Sequence, residues 1–478
     1  MTTINQQQSA TKQEIDVEEF ISRKIDVLCH VKRFNERWQG DKKFREQLLL
    51  EPQKTIDRYD LKIKADDVKY IWDSQNLTQE ISNGNFSPTT TLQCVFDLYD
   101  VMNQASEKPM DRLEKYIETS LKDNRFKLWR KRQVSRLKSQ TCRSTFMDTG
   151  HYPCAFELSK GCSVGCWFCS LSAASLESVF PYDRVNSQLW KNLLSLLKNK
   201  LGEAVLEGFC YCATDPLDNP DYEKFALDFY NILGSFPQTT TAQAWKYPAR
   251  VRSLIKMAEE RGGNVRFSVL SLKHLNLIHE QFTAEELAGT ELILQLEGSL
   301  TGTKSNAGRA RELSQKKSQI QERVTDSTTP ACISGFLFNM VNKTVQLMSP
   351  CLPSDRWIHG HRIHDEASFK DLDDLGDILE NMMAKHMPVE IQPDTIIRFR
   401  SDLEYQNLED GFQLSTKVKN FKFTQVPYLK HLGSIIAKNQ KTAQEIAMVL
   451  ASLWGISPKQ TYSNLNHLFN NGFLDDGL

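Results

Sequence analysis

The sequence predicts an α/β protein: a partial (β/α)6 barrel preceded by an N-terminal helical region and followed by a C-terminal winged-helix-like module. Three observations support this prediction. Helical periodicity dominates before about residue 150, short apolar segments alternate with amphipathic helical segments from Pro153 onward, and 421–478 contains three short helical segments. Strand–helix alternation is typical of a parallel sheet with right-handed crossovers, and about six repeats favour a barrel or partial barrel.

The predicted domain boundaries follow these changes of pattern. We expect a disordered tail at 1–15, a helical region at 16–80, a helical extension at 81–150, the partial barrel at 151–350, a helical or irregular region covering the site at 351–420, and the winged-helix-like module at 421–478. The polar stretch from Ser74 to Thr90 is typical of a linker. In the first helical region, Phe34, Trp38, Phe44, Leu48 and Leu49 have spacings that can share one buried face.

The barrel region contains six predicted strands and four predicted helices. The strands are Ala155–Leu158, Ala204–Cys212, Thr239–Trp245, Val265–Leu270, Glu291–Leu296 and Cys332–Met340. The helices are Ser187–Leu201, Tyr222–Leu233, Ala249–Arg261 and Lys273–His279. A basic stretch, Thr301–Thr329, is predicted to be a long loop or helical insertion, and a hairpin turns at Asn342–Lys343. Chemistry in such barrels lies at the C-terminal ends of the strands.

Composition limits the partners that this protein can have. Lys and Arg number 59 against 60 Asp and Glu in 478 residues, a net charge of -1, which argues against duplex nucleic acid as a partner. No apolar run is long enough to span a membrane, and the polar N-terminus lacks a signal peptide, so we expect a cytoplasmic protein. Its 11 cysteines then favour metal or redox chemistry over disulfides, with Cys29, Cys94 and Cys142 explained as packing.

Three cysteines lie close together in KGCSVGCWFCSLSA, the segment that begins at Lys160. Thiolates suit iron–sulfur clusters or zinc, and Gly161 and Gly165 give the loop backbone freedom. Structural zinc uses four ligands, usually as two separated pairs, whereas Cys162, Cys166 and Cys169 leave one coordination position open. A zinc site and a chance proximity of three cysteines are the alternatives.

The Cys-x3-Cys-x2-Cys spacing, with Phe168 just before the last cysteine, resembles the radical S-adenosylmethionine (SAM) superfamily. The resemblance implies that Cys162, Cys166 and Cys169 bind three irons of a [4Fe–4S] cluster. It implies that SAM chelates the fourth iron, and that reduction by a low-potential donor such as flavodoxin or ferredoxin cleaves SAM to a 5′-deoxyadenosyl radical. Phe168 then belongs to the cofactor-binding loop.

The resemblance extends to other cofactor contacts. The family has a Gly-Gly-Glu-Pro-like turn after its second strand, which contacts the amino group of SAM. Here the turn ends in Thr214-Asp215-Pro216, so Asp215 is the matching acid, and a carboxylate can accept hydrogen bonds from an ammonium group. The alternative is that Asp215 only caps a turn. Candidates for the ribose or amino-acid part of SAM, with capping or core polarity as the alternative, are Ser268, Ser271, Gln295 and Glu297.

Further segments narrow the resemblance. Residues 34–52 are similar to the leader of nitrile-hydratase-type precursor peptides, and 421–478 resembles winged-helix modules that bind leaders, which can add a peptide strand at a sheet edge. With ATDPLDNPDY (213–222), ACISGFLFN (331–339) and SPCLPSDRW (349–357), the chain resembles the radical peptide epimerases of proteusin pathways. This implies conversion of L- to D-residues in a ribosomal precursor peptide.

An epimerase of this kind removes the Cα hydrogen of an L-residue and returns a hydrogen atom from the opposite face. A cysteine thiol has a suitably weak S–H bond. Cys351 is the predicted donor because it lies in a Pro-flanked polar segment typical of a site-lining loop. Cys332 begins an apolar strand and is better explained as core, while Cys210 and Cys212 lie on the cofactor side. Another donor residue, or none among the cysteines, is the alternative.

Two other functions are compatible with parts of the sequence. One is radical cross-linking or another Cα/Cβ modification of a peptide. The other is a redox-sensing winged-helix nucleic-acid protein, which the near-neutral charge and the six strand–helix repeats disfavour. The basic segment Arg125–Lys138 is either a grip for an acidic leader or, more simply, a solvated charged face.

Overall fold

A computed structural model describes residues 17–73, 113–141, 149–302, 304–317, 324–424 and 426–476. These residues form two compact units. The first contains 17–73, 271–289 and 296–301, and the second contains the other described residues. The predicted tail at 1–15, the predicted linker at 74–90, Cys94 and Cys142 lie outside the described residues.

The helices and strands are numbered here in chain order. The helices are α1 (Val17–Gly40), α2 (Lys42–Leu50), α3 (Pro52–Arg58), α4 (Ala65–Val68), α5 (Asn124–Gln140), α6 (Arg184–Leu201), α7 (Tyr222–Leu233), α8 (Pro248–Glu259), α9 (Leu272–Gln281), α10 (Gly308–Ser314), α11 (Leu372–His386), α12 (Leu429–Ala437), α13 (Ala443–Trp454) and α14 (Pro458–Asn470). The strands are β1 (Tyr152–Glu157), β2 (Ser159–Lys160), β3 (Ser178–Val179), β4 (Thr239–Thr241), β5 (Val265–Val269), β6 (Glu291–Leu294), β7 (Lys304–Ser305), β8 (Val324–Thr325), β9 (Ile333–Asn339), β10 (Thr344–Pro350), β11 (His361–Ser368), β12 (Glu404–Asn407), β13 (Phe412–Ser415) and β14 (Asn420–Phe423).

The first unit is built on α1–α4, whose predicted buried face is largely confirmed. Phe34, Phe44 and Leu48 are fully buried, and the rings of Phe34 and Phe44 meet edge to face with centroids 5.4 Å apart. Trp38 packs against the same core. The prediction is wrong for Leu49, which is 64% exposed, because one residue along a helix turns the side chain by about 100° away from the face that Leu48 buries.

The second unit confirms the predicted α/β class. A four-stranded sheet has the order β1-β9-β10-β11, with β1 and β9 parallel and the other pairs antiparallel. A separate parallel sheet has the order β4-β5-β6. The predicted hairpin at 342–343 is confirmed, with Lys343 at φ +53° in the turn. The described strands form several sheets rather than one closed barrel.

Two predicted strands differ from the structure. Ala204–Cys212 is wrong over most of its length, because Gly202 at φ +94° directs the chain into a 3-10 turn at Glu203–Glu207, and only Phe209 forms a bridge, with Ala155. Thr239–Trp245 is shorter than predicted. Its strand ends at Thr241, whose hydroxyl turns away to donate to the Asp215 carboxylate at 2.8 Å.

Helix α5 contains the basic segment, and part of that segment is buried. Arg130 and Arg132 are 2% and 4% exposed. The Arg130 Nε donates to the His151 carbonyl at 2.8 Å, and an Arg132 Nη donates to the Pro388 carbonyl at 2.9 Å. The solvated-face interpretation is therefore wrong for these two arginines, which are used to join elements within the second unit.

The C-terminal part confirms the three predicted helices, α12–α14, two of which begin with a capping box. These helices share a hydrophobic core with the antiparallel sheet β12-β13-β14, and this core begins at Ile391. The region predicted as helical or irregular at 351–420 thus includes β11, α11 and two strands of this sheet. Among the described residues, no helix combines the length and the apolar character needed to cross a membrane.

Candidate functional site: a cavity lined by the cysteine loop

The cysteine loop follows β1 and is closed at its base by a short ribbon. Ser159–Lys160 pair antiparallel with Ser178–Val179, so the chain leaves and returns at the same place. Gly161 has φ +82°, and a Cβ there would lie 2.2 Å from the Ser175 carbonyl oxygen. The predicted need for glycine at this position is confirmed, because any side chain would open the base of the loop.

The loop forms one wall of a cavity of about 350 Å³ in the second unit, a size typical of small-molecule sites. Most of the predicted site residues line it. They are Cys162, Cys166, Phe168, Cys169, Thr214, Asp215, Ser268 and Gln295. The cysteine loop, the segment after Phe209, the end of β5 and the residue after β6 therefore surround one cavity. The sequence analysis expects the site at such C-terminal ends of strands.

The thiols of this loop are partly buried. Burial raises the pKa of Cys162 to about 11 and that of Cys166 to about 12, so a soft metal that binds them must displace their protons. Within the described part of the chain, no three His, Cys, Asp or Glu side chains form a tight single-ion site. The three cysteines instead line the cavity wall, a placement compatible with a larger group.

The chemistry of the wall suits a polar ligand. The Thr214 Oγ1 and the Gln295 Oε1 are buried without a hydrogen-bond partner among the described residues, and so is the His361 Nδ1. Buried polar atoms of this kind are normally satisfied by protein, water or a ligand, so this cavity offers three hydrogen-bonding atoms to a polar ligand. Burial lowers the pKa of His361 to about 4, which keeps this ring neutral.

Asp215 both caps a turn and lines the cavity. Its carboxylate accepts from the Leu217 N–H at 3.0 Å, the Thr241 hydroxyl at 2.8 Å and the Ala242 N–H at 2.8 Å. Burial nevertheless raises the pKa of Asp215 above its usual range. Asp215 therefore caps a turn, as the alternative prediction states. Any contact with a ligand would be additional to these three hydrogen bonds.

Three candidate residues from the sequence analysis are not among those that line the cavity. Ser271 caps α9 instead, where its hydroxyl accepts from the His274 N–H at 3.1 Å. Glu297 is exposed and belongs to the first unit. Cys351 is 4% exposed and lines a different cavity of about 530 Å³ in the second unit. Its backbone N–H donates to the Gly360 carbonyl at 3.0 Å, and burial raises the pKa of its thiol to about 12. The donor role of Cys351 stays a prediction.

The pleat of the four-stranded sheet explains where these side chains point. Register pairs Pro350 with His361 and Ser349 with Arg362 across β10 and β11. Successive side chains on a strand point to opposite faces, so His361 lines the cysteine-loop cavity while its neighbour Arg362 lines the other. Cys351 shares the second cavity with Arg362.

Besides the loop cysteines, Cys212 and Cys332 line the cysteine-loop cavity, and of these two sequence reasoning missed Cys332. Cys332, just before β9, was explained as core, yet it is half-buried on the cavity wall together with Cys212. Burial raises the pKa of Cys332 to about 11, so its thiol stays protonated at neutral pH. No periodicity signal could have identified it, since β9 is buried on both faces.

These observations define the protein's class as an α/β protein with a cysteine loop on the wall of a ligand-sized cavity. Comparison with known proteins adds its family. The chain is 36% identical over 460 residues to the uncharacterized protein y4wI of Sinorhizobium fredii (strain NBRC 101917 / NGR234), covering 95% of this chain and 88% of that protein. The chain belongs to the family of y4wI. No family model and no solved structure matches it.

Proposed function

We propose that this protein is a radical SAM enzyme that converts L- to D-amino acid residues in a ribosomally made precursor peptide. The observation that carries the proposal is that all three cysteines of the Cys-x3-Cys-x2-Cys loop line one ligand-sized cavity with Thr214, Asp215 and Gln295. In this proposal β1, β4, β5, β6 and β9 belong to a partial radical SAM barrel, and the Ile391–Leu474 core belongs to a winged-helix-like module.

The cavity residues fit the groups that this function needs. Cys162, Cys166 and Cys169 would hold three irons of a [4Fe–4S] cluster, and the open position suits SAM. The unpartnered Thr214 Oγ1 and Gln295 Oε1 would bond the polar parts of SAM, while Asp215 orients the turn that carries Thr214. When bound, these groups supply a 5′-deoxyadenosyl radical that removes the Cα hydrogen of the substrate residue.

A thiol of this chain then returns a hydrogen atom to Cα. The S–H bond breaks, the new Cα–H bond has the D configuration, and one electron from a low-potential donor such as flavodoxin or ferredoxin, with one solvent proton, restores the thiol. Cys351 is the donor that the sequence predicts, and Cys332 is a thiol outside the loop that lines the cysteine-loop cavity. Burial keeps both protonated, as a hydrogen-atom donor must be.

The leader of the peptide partner would bind outside this cavity. The sheet β12-β13-β14 has two edge strands, β12 and β14, in its described order. An extended leader could pair with such an edge through main-chain hydrogen bonds. We propose a precursor with a nitrile-hydratase-like leader as the partner.

The test is anaerobic reaction of the reconstituted protein with SAM, a reductant and the precursor peptide in heavy water. We expect 5′-deoxyadenosine, D-residues by chiral amino-acid analysis, and one deuterium on each epimerised Cα. A cross-link or another change of mass beyond this deuterium would favour the alternative peptide modification, and absence of deoxyadenosine would overturn the radical SAM assignment.

Two single variants identify the donor. Cys351→Ala is expected to cleave SAM but to form no D-residues, with Cys332→Ala as the matched thiol variant. If Cys332→Ala shows this pattern instead, the donor is Cys332. If both variants epimerise fully, a thiol donor from this pair is ruled out.

A further inference from the structure

The basic stretch after residue 301, which the proposed function leaves unexplained, contacts the cysteine loop. It forms β7, α10 and β8 rather than a plain loop. At the start of α10, the Arg309 backbone N–H donates to the Cys169 carbonyl at 2.9 Å. The guanidinium of the same residue donates from Nη1 to the Cys166 carbonyl at 2.7 Å and from Nη2 to the Ala173 carbonyl.

Close backbone packing makes this contact possible. Gly308 has φ +50°, and a Cβ on it would lie 2.2 Å from the Ser170 carbonyl oxygen and 2.7 Å from that of Cys169. Its N–H donates to the Ile358 carbonyl at 2.8 Å, which anchors the start of α10 from the other side. Glycine at 308 therefore lets the next residue reach both arms of the loop.

The Cys166–Ala173 part of the loop also has hydrogen bonds of its own, among them one from the Ala173 N–H to the Cys169 Sγ at 3.4 Å. The Cys169 N–H donates to the Cys166 carbonyl at 3.2 Å, and the Ser172 N–H donates to the Cys169 carbonyl at 3.1 Å. Arg309 bonds three carbonyls, those of Cys166, Cys169 and Ala173, and so spans this part of the loop. A planar guanidinium presents several donors in a fixed geometry, which a lysine ammonium cannot reproduce.

We infer that Arg309 is a positioning residue that fixes the Cys166–Ala173 segment in its ligand-ready shape. Its functional value rests on the proposed cluster, but the preorganisation of the loop is a property of the chain alone. Groups that orient metal ligands from behind commonly change metal affinity by about 10- to 100-fold when removed.

The first test uses the full-length, cluster-free chain. Hydrogen–deuterium exchange of the amides of Cys169, Ser172 and Ala173 is compared in wild type, Arg309→Gln and Arg309→Lys. We expect exchange to be about tenfold faster in Arg309→Gln, since two hydrogen bonds from a charged donor are lost, and intermediate in Arg309→Lys. The matched control is Arg311→Gln, on the same helix, whose guanidinium pairs with the exposed Asp355.

Unchanged loop exchange in Arg309→Gln, or an equal change in Arg311→Gln, would overturn the inference. If Arg309→Gln does not fold, as judged by thermal unfolding, the comparison of Arg309→Lys with Arg311→Gln decides in its place.

The second test uses the reconstituted protein and measures the rate at which a chelator removes iron. We expect this rate to rise by about 10- to 100-fold in Arg309→Gln and to be unchanged in Arg311→Gln. If wild type binds no cluster, the proposed function fails while the exchange experiment still decides the role of Arg309. If wild type binds the cluster and Arg309→Gln loses iron at the same rate, only the inference fails.

Discussion

The cysteine-loop cavity and the cavity that contains Cys351 are chemically different although strand β11 contributes a residue to each. The cysteine-loop cavity is lined by thiols and apolar side chains with a few unpartnered polar atoms, among them that of His361. The second cavity is lined by several charged groups, including Arg136, Arg362 and Asp402, around the Cys351 thiol. His361 and Arg362 are neighbours in sequence, yet the pleat assigns them to different cavities.

This difference indicates which kind of chemistry each cavity favours. Hydrogen-atom transfer moves no net charge, so it does not require charged walls, and Ile333 and Met348 give the cysteine-loop cavity apolar ones. A charged wall instead favours ionic partners. Cys351 is surrounded by the second type of wall, so a donor role for it requires the substrate residue to be reachable from the charged cavity.

The largest expected effect is on iron content, and it should differ between a cysteine of the loop and Cys351. Cys166→Ala should abolish iron binding and deoxyadenosine formation, because a cluster cysteine has no substitute in the loop. Cys351→Ala should retain the iron content of wild type. Iron and sulfide analysis after anaerobic reconstitution checks both. Full iron in Cys166→Ala, or loss of iron in Cys351→Ala, would contradict the assignment of the cluster to the first cavity.

A second prediction concerns the ion pairs behind the charged cavity. Asp476 is paired with Arg136 at 3.2 Å and with Arg362. Burial alone would raise the pKa of Asp476, but these arginines hold it well below its usual range. Asp476→Asn leaves two buried cations short of a partner and should lower the free energy of unfolding by about 3–5 kcal/mol.

The stabilisation by Asp476 depends on pH in a direction that follows from its lowered pKa. A depressed pKa in the folded chain gives stability that is present above the unfolded value of about 3.9 and is lost as the pH falls through the folded pKa. Urea unfolding at neutral pH and at about pH 3 should therefore show a smaller difference between wild type and Asp476→Asn in acid. The control is Asp355→Asn, an exposed partner of Arg311, which should change stability by less than about 1 kcal/mol. Equal effects of the two variants would contradict the prediction.

The smallest expected effect tests the unpartnered atoms of the first cavity. Gln295→Leu keeps the size of the side chain but removes the buried Oε1. SAM affinity of the reconstituted protein, measured by anaerobic calorimetry, should fall about two- to tenfold, as for one neutral hydrogen bond. Lys417→Ala, on the wall of the charged cavity, should leave this affinity unchanged. A loss that is the same in both variants would indicate that SAM binding does not distinguish the cavities.

Much of the local structure could be predicted from the sequence because it depends on neighbouring residues. The glycines of the cysteine loop, the hairpin at 342–343 and the three C-terminal helices were found from turn and helical signals. The second predicted strand failed because an apolar run has no period that separates a strand from a 3-10 turn at Glu203–Glu207.

The sequence by itself determined which residues form the thiol loop, the α/β class, and the absence of a net charge that would favour nucleic acid. Only the tertiary structure decided that Cys332 lines the cysteine-loop cavity while Cys351 lines another, that Arg130 is buried, and that Arg309 reaches the carbonyls of Cys166 and Ala173. The physical reason is that these contacts join residues far apart in the sequence. Arg309 lies more than a hundred residues from the loop that it holds, and no local pattern records such a contact.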